Sequence, residues 1–330
     1  MKTLIIGAGP LGSLYTYLLH KAGKDVTLLA INEHYQYLKE NGLVLHNEFT
    51  QEEIREKVNV IDHLSPEDEY DLVIVIMRKN SVLKLLPDLN QYENLHNILF
   101  MGNNTSGFDE YLKFFPREKI LFGFPGGGGS LIDHVAHYVD TEKPEGKRMA
   151  ITLGEIDGQI WERTKDIQQL FESSEVPVVL VDQIDSWLKY HVAFVLPVAG
   201  ALLKSGDNYQ LAKDKPTITQ YIQAVREAGW VLKAIGYHKS YNFKLKLFYW
   251  LPATILSSIL SKVFNSKFAE VAMMMHVRAA RDEMIELANE FKLLQKGTDI
   301  PTPNLDALFE VILESEKPEL ERLELENEHV

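Results

Sequence analysis

The chain has 330 residues, enough for two domains, and a net charge of −13 that argues against nucleic acid or an anionic membrane as a partner. Its composition, 45% hydrophobic and 25% charged, is that of a globular protein. It contains no cysteine, which excludes disulfides, zinc–thiolate sites and a thiol nucleophile and fits a reducing cytoplasm.

The N-terminus opens with a short apolar run, Leu4 to Ile6, followed at once by Gly7-Ala8-Gly9-Pro10-Leu11-Gly12 and a helix-like stretch to about Gly23. Strand, GxGxxG turn and helix in that order form a dinucleotide-binding fingerprint. Gly7 permits the sharp turn, Gly9 lets backbone amides approach a pyrophosphate, and Gly12 lets the helix lie against the strand. The phosphates are then expected on the helix N-terminus, where free N–H groups and the helix dipole favour negative charge. The apolar run breaks too soon for a secretory signal, and no cleavage site follows.

Onward from there, strands and helices alternate. Asp25–Leu29 reads as a strand, Asn32–Glu40 as a helix, and Gly42–Leu45 as the start of an extended piece. Asp71–Ile76 is a continuous apolar, β-branched run, as a central parallel strand should be. Ser81–Leu89 and Phe108–Phe115 read as helices, Asn97–Met101 and Lys119–Gly123 as strands. This rhythm implies an α/β fold with a Rossmann-type, doubly wound parallel sheet.

Gly126–Gly129 is a run of glycines without a following Lys-Ser/Thr, and it reads as a flexible turn rather than a phosphate loop. Extended pieces follow near Val135–Val139 and Arg148–Leu153, then a helix over Trp161–Glu172 and a strand over Pro177–Val181. Beyond Asp182 only helices are expected, over Asp185–Lys204, Lys215–Tyr237, Leu245–Phe264, Ala269–Leu294 and Asn304–Glu314. The domains are therefore residues 1–183, binding the dinucleotide, and 184–330, an all-helical substrate or dimerisation domain. Leu245–Phe264 is the most apolar stretch, but its uncharged centre between Lys246 and Lys262 is shorter than the roughly 20 residues a bilayer span needs. It reads as a buried helix or a subunit interface, compatible with a homodimer. The acidic tail from Glu314 reads as a solvated, frayed helix.

Several residues could carry chemistry. The second strand normally ends in an acid that selects NAD or an arginine that accepts NADP. Here it ends Leu29-Ala30-Ile31-Asn32, which gives neither signal. Asn104, after the Leu99–Met101 strand, stands on the sheet edge where ligands bind; an Asn-rich turn bonding to its own backbone is the alternative. Lys189, at the start of the helical domain, is a solvated helix residue or, if buried, an acid for a carbonyl oxygen. On its face follow Ala193 and Pro197, both apolar. Glu283, Glu286 and Glu290 share a charged helix, and His276 follows Met273–Met275, which read as core or pocket wall.

Along nearly its full length the chain resembles the ketopantoate reductases (2-dehydropantoate 2-reductases). The resemblance runs from Gly7–Gly12 through Val26–Ala30 with His34, Asn41–Leu43, Asp71–Val75, Asn104 with Gly107, Glu110 and Leu112, and Leu153-Gly-Glu155-x-Asp157-Gly158. It ends with Trp187-x-Lys189, Glu283 and Ile300-Pro-Thr-Pro303-Asn304. It implies a Rossmann domain joined to a helical domain, a soluble cytoplasmic enzyme, and reduction of ketopantoate to pantoate in pantothenate biosynthesis. NADPH is the implied cofactor and a small-molecule 2-keto acid the implied partner. The catalytic residues it implies are Lys189, protonating the developing alkoxide, and Glu283, holding the substrate hydroxyl. Asn104 would touch cofactor and substrate, and Arg78 falls where the family usually has a basic residue after its fourth strand. Ile31 stands in place of the family's arginine and leaves NADH open. Ala193, Pro197 and a residue near Val271 stand where the family has polar substrate contacts, which implies a larger or more apolar substrate. A second reading, from another class, is a dinucleotide-binding sensor or assembly protein without turnover.

Overall fold

The computed structural model describes residues 1–239 and 243–314; the acidic tail beyond Glu314 lies outside the described residues. The chain forms two compact units, Met1–Leu188 and Lys189–Val330.

The first unit begins with β1 (Thr3–Ile6), α1 (Pro10–Lys21), β2 (Val26–Leu29), α2 (Asn32–Asn41) and β3 (Leu43–Asn47). It continues with β4 (Glu53–Glu56), β5 (Asn59–Ile61), β6 (Tyr70–Val75), α3 (Lys79–Leu89), β7 (Leu95–Met101), α4 (Asp109–Leu112) and β8 (Ile120–Phe124). Next come β9 (Gly128–Ile132), β10 (Val135–Val139), β11 (Ile151–Gly154), α5 (Glu162–Glu172) and β12 (Val178–Leu180). The described strands form an eight-stranded sheet of order β12-β11-β8-β7-β6-β1-β2-β5 and a four-stranded sheet of order β4-β3-β10-β9.

From β8 to β5 the large sheet is parallel throughout, and only the β8–β11 pair is antiparallel. Leu72–Val75 of β6 are wholly buried, which is why that strand reads as an unbroken apolar run instead of an alternating one. The doubly wound α/β fold inferred from the β-α-β rhythm is the one observed. The small sheet has no counterpart in that reading. Its strands β3 and β10 pair in parallel although they are distant in sequence, and Leu43, Leu45, Ala136 and Tyr138 join Leu14 and Leu18 of α1 in one core.

Gly126–Gly129 is packed backbone, not a flexible turn. The Tyr15 hydroxyl accepts from the Gly126 N–H at 2.8 Å and donates to its carbonyl at 3.1 Å; burial pushes the phenol pKa up, against the Gly126 hydrogen bond, which lowers it. A Cβ at Gly129 would stand 2.1 Å from the His137 carbonyl oxygen. The run is glycine because two strands and α1 meet there. The helix expected over Phe108–Phe115 contracts to the single turn of α4.

The second unit is helical among its described residues: α6 (Ile184–Ser205, whose first turn lies in the first unit), α7 (Asn208–Leu211), α8 (Lys215–Ala234), α9 (Phe243–Trp250), α10 (Ala253–Phe264), α11 (His276–Ala279), α12 (Arg281–Lys296) and α13 (Pro303–Glu314). Two expected helices are broken. The Leu245–Phe264 stretch divides at Pro252, which has no N–H to donate and starts α10 from an extended conformation. The Ala269–Leu294 stretch becomes a π-helical turn over Ala269–Met275, then α11, then a kink at Ala280 (φ −122°, ψ 39°) before α12. No proline or glycine marks that kink. Helix α6 is long and apolar enough to cross a membrane, and 72% of its most apolar window is buried within the fold, as in a core helix. Helix α10 buries Leu256, Leu260 and Phe264 and exposes Ile255, Ile259 and Val263. The start of α13 is held by buried Glu227, whose carboxylate accepts from the Asn304 and Leu305 N–H groups at 3.0 and 2.8 Å and from Asn304 Nδ2 at 2.6 Å. The Ile300–Asn304 motif is thus docked by a buried carboxylate.

Candidate active site

In the first unit the C-terminal ends of β1, β6 and β7 lie side by side at the point where strand order reverses, the place where such sheets bind ligands. The GxGxxG turn occupies the end of β1. Gly7 has φ +114°, and a Cβ there would stand 2.2 Å from the Ile76 carbonyl oxygen after β6. A Cβ on Gly12 would stand 1.9 Å from the Gly7 carbonyl oxygen. Both glycines are therefore demanded by the fold. Gly9 is different. Its φ of −77° suits any residue, and an added Cβ would meet no protein atom within 4 Å. The protein itself gives no reason for glycine there, whereas a phosphate lying against the backbone does.

Gly9 is also the N-cap of α1, with no side-chain cap and with Pro10 in the first turn. The helix thus leaves its N-terminus to an outside acceptor. The turn is braced from behind by His34, whose Nε2 lies 3.0 Å from the Ala8 carbonyl oxygen and whose Nδ1 lies 3.1 Å from His134 Nδ1. Burial lowers the His34 pKa, and His134 adds to the effect. Leu11 lies against Gly127: a Cβ on that glycine would stand 3.1 Å from Leu11 Cδ2. Ile31, at the end of β2, is 59% exposed.

After β7, the Gly102–Gly107 loop folds onto the start of α3. Asn104 Oδ1 accepts from the Gly107 N–H at 3.2 Å and from Lys79 Nζ at 3.1 Å, and Asn104 Nδ2 donates to the Gly107 carbonyl at 2.8 Å. Lys79, 1% exposed, also donates to Ser106 Oγ at 2.6 Å. Arg78, the basic residue singled out in the sequence, is the exposed N-cap of α3, while its neighbour Lys79 turns inward. Either basic residue was available in the sequence; only the start of α3 decides which one is buried. Asn104 acts on its own loop and on Lys79, whereas the buried Asn103 Oδ1 and Thr105 Oγ1 on either side have no hydrogen-bond partner. Orphaned buried acceptors and donors are costly unless a ligand satisfies them. Uncapped helix, open Gly9 and orphaned loop atoms together fit a dinucleotide.

In the second unit Lys189 is 3% exposed and Glu283 2% exposed, so both are core positions and not solvated helix faces. Lys189 Nζ lies over the Tyr237 ring, 4.9 Å from its centre, a favourable place for a cation. Glu283 Oε2 lies 3.8 Å from His276 Nε2. The kink at Ala280 puts His276 and Glu283 on different helices, and Glu286, one turn along α12, is exposed. His191, two residues after Lys189, was not singled out in the sequence; desolvation pushes its pKa down to about 3, and His276 pushes it the same way. Ala193, Pro197 and Val271 are all buried, and so is Met274 of the methionine run. The π-helical turn just before His276 is a conformation that recurs at functional sites.

A parallel sheet with an open glycine turn at its switch point defines a Rossmann-type fold, here joined to a helical unit. Residues 3–141 match the family model for ketopantoate reductase PanE/ApbA. The uncharacterized oxidoreductase YkpB of Bacillus subtilis (strain 168) is 25% identical over 210 residues, 61% of this chain and 64% of its own length. The 2-dehydropantoate 2-reductase of Lactococcus lactis subsp. lactis (strain IL1403) is 28% identical over 125 residues, 37% of this chain and 40% of its own. The chain thus spans less than two thirds of the length of either relative. Among solved structures, a D-mandelate dehydrogenase with NADH and anilino(oxo)acetate superposes with a TM-score of 0.78 over 96% of this chain and 99% of that one, at 19% identity. Over residues 3–141 the chain is thus similar to the ketopantoate reductase family, and both relatives are oxidoreductases.

Proposed function

We propose that the protein is an NAD(P)H-dependent reductase of a 2-keto acid that is bulkier or more apolar than ketopantoate. The observation that carries this reading is the burial of Lys189: an ammonium at 3% exposure is costly to place in a core and calls for a reason beyond solubility. A bound reduced nicotinamide dinucleotide supplies the hydride. Gly9, the N-terminus of α1 and the Asn103–Thr105 loop hold its phosphates and nicotinamide end, with Lys79 fixed by Asn104 and Ser106. Lys189 gives its proton to the carbonyl oxygen as that oxygen becomes an alkoxide. Glu283 accepts a hydrogen bond from the substrate, and His276 positions the carboxylate.

The nature of the substrate follows from the face of α6 beyond Lys189. Ala193 and Pro197 are buried there, and proline at 197 cannot donate the usual helical N–H to the Ala193 carbonyl. Such a face offers apolar surface and a backbone acceptor in place of side-chain amides. A wall without those donors no longer penalises an apolar substrate group with unpaired polar partners. The D-mandelate dehydrogenase of the same fold, with its aromatic ligand anilino(oxo)acetate, supports this direction. That protein holds NADH, and Ile31, exposed after β2, is neither the acid that selects NADH nor the arginine that accepts NADPH, which supports keeping NADH beside NADPH as the hydride donor.

The test is oxidation of NADH and of NADPH against 2-keto acids running from ketopantoate to aryl and branched-chain members. Turnover is expected with the larger members, and Lys189→Ala should lower kcat by roughly 10²–10⁴-fold without weakening nucleotide binding. Absence of turnover with every member, in a protein that binds nucleotide tightly, would overturn the proposal.

A further inference from the structure

A cluster away from the glycine turn and the Lys189 region remains unexplained by that chemistry. His46 is the penultimate residue of β3, Glu48 lies just past its end, and His137 lies in the middle of β10. His46 and His137 are direct partners in the parallel β3–β10 register, so their side chains leave the same face of the small sheet. Leu45 and the His137 neighbours Ala136 and Tyr138 point the other way into the α1 core, whereas the His46–His137 face buries Val44 and Val139 and leaves the two imidazoles half-buried. One ligand atom from each of His46, Glu48 and His137 lies within 4.8 Å of the others.

The three are held where they are by backbone, not by chance proximity of long side chains. The Glu48 N–H donates to the Tyr138 carbonyl at 3.0 Å, tying the end of β3 to β10. Asn47, between His46 and Glu48, accepts through Oδ1 from the Phe49 and Thr50 N–H groups at 2.9 and 3.1 Å and fixes the turn. The side chain of Glu48 is only 11% exposed, and its Oε1 lies 2.7 Å from His137 Nδ1. A histidine–carboxylate hydrogen bond accounts for that pair alone. It does not account for the second imidazole, whose ring centre lies 5.0 Å from that of His137.

We infer that His46, Glu48 and His137 form a binding site for one divalent metal ion of the zinc class. Two imidazoles and a carboxylate are the ligand set of borderline ions and not of magnesium or calcium, which take oxygen donors. Bonds of 2.0–2.1 Å to a tetrahedral ion place ligand atoms about 3.4 Å apart, so the Glu48–His137 pair opens from 2.7 Å while the wider separations, up to 4.8 Å, close by small side-chain rotations. The ion takes the place of the proton between His137 and Glu48, and a water completes the tetrahedron. Bound there, the metal would clamp β3 to β10, two strands that the chain brings together from far apart in sequence.

The experiment uses the full chain, stripped with a chelator and dialysed. Calorimetric titration with Zn²⁺ should show one equivalent bound per chain, and Co²⁺ should give the visible ligand-field absorption of a tetrahedral site. A His46→Ala/His137→Ala double variant should lose both signals. Glu48→Gln keeps the size and hydrogen bonding of the side chain while removing its charge, and it should weaken Zn²⁺ binding by at least roughly 10–100-fold, the range for losing even an outer-shell partner. It decides the matter should the double variant fail to fold. Undiminished binding in either variant would assign the metal to other histidines and overturn the inference. So would the absence of stoichiometric binding in the parent chain.

Discussion

Among the described residues each unit buries a lysine, Lys79 at the start of a helix under a polar loop and Lys189 on a helix with an apolar face. Lys79 sits among amide and hydroxyl groups, held by Asn104 and Ser106 in a loop that also carries the orphaned Asn103 and Thr105 atoms. Lys189 sits over a tyrosine ring on a helix whose same-face positions are Ala193 and Pro197. The first arrangement is what a polar, chemically constant ligand needs, because each lost hydrogen bond to a charged group costs about 1.5–3 kcal/mol. The second keeps a charge for chemistry but leaves shape and apolar area to choose the substrate. The contrast teaches that the Lys79 loop is built to hold a fixed polar partner, whereas the helix face after Lys189 offers apolar surface.

The comparison is broken or sharpened most strongly at the glycine turn. Gly12→Ala puts a methyl 1.9 Å from the Gly7 carbonyl oxygen, so the helix must separate from β1. We expect a loss of stability above ~3 kcal/mol, at the severe end of overpacking, seen as a collapsed melting temperature. Gly9→Ala meets nothing within the protein and should leave the melting temperature of the free chain unchanged. Its nucleotide affinity, measured by fluorescence titration, should fall at least about 100-fold, because the methyl occupies the phosphate approach. Equal affinity in Gly9→Ala and the parent chain would remove the main support for a dinucleotide at this turn.

In the second unit the sharper test is acid. His191 has a folded pKa of about 3, below the value of about 6.5 it takes when the chain unfolds. Between those values the unfolded state binds the extra proton, so the stability linked to this group is complete above about pH 6.5 and is lost as pH falls toward 3. The slope it adds approaches ~1.4 kcal/mol per pH unit. Urea titrations from pH 7 down to pH 4 should show it, and His191→Gln should flatten the curve relative to the parent. If both chains lose stability in parallel, His191 is not the group that titrates.

Much of the first unit was legible in the sequence because its signals are local. A glycine spacing, an unbroken β-branched run over Leu72–Val75 and a β-α-β rhythm each report a backbone requirement at the residues that carry them. What stayed hidden depends on partners far along the chain. Strands β4 and β10 acquire meaning only by flanking β3, and Gly126–Gly129 is packed because Tyr15 and His137 reach it from elsewhere. The choice between Arg78 and Lys79 turns on one residue of helix start. In the second unit, composition marked helices but not their breaks: Pro252 announces one, whereas the kink at Ala280 has no local sign. Lys189 and Glu283 stood out as candidates in the sequence but took catalytic roles only from the resemblance, and helix periodicity alone would have left Glu283 with exposed Glu286 on a solvated face.

The smallest expected effect lies in the core of the second unit, where Tyr221 is fully buried among Phe194, Phe248 and Phe264. Its hydroxyl has no hydrogen-bond partner, and burial raises its pKa well above the usual value. A phenol that has left water without replacing its hydrogen bond carries a penalty of about 1–3 kcal/mol, offset in part by the contacts of the oxygen atom itself. Tyr221→Phe keeps the edge-to-face ring contacts and removes that penalty, so it should raise stability by ~1 kcal/mol in urea titrations, with turnover unchanged. A loss of stability would mean that the hydroxyl has an ordered water as partner, and that this aromatic core is wetter than its ring packing implies.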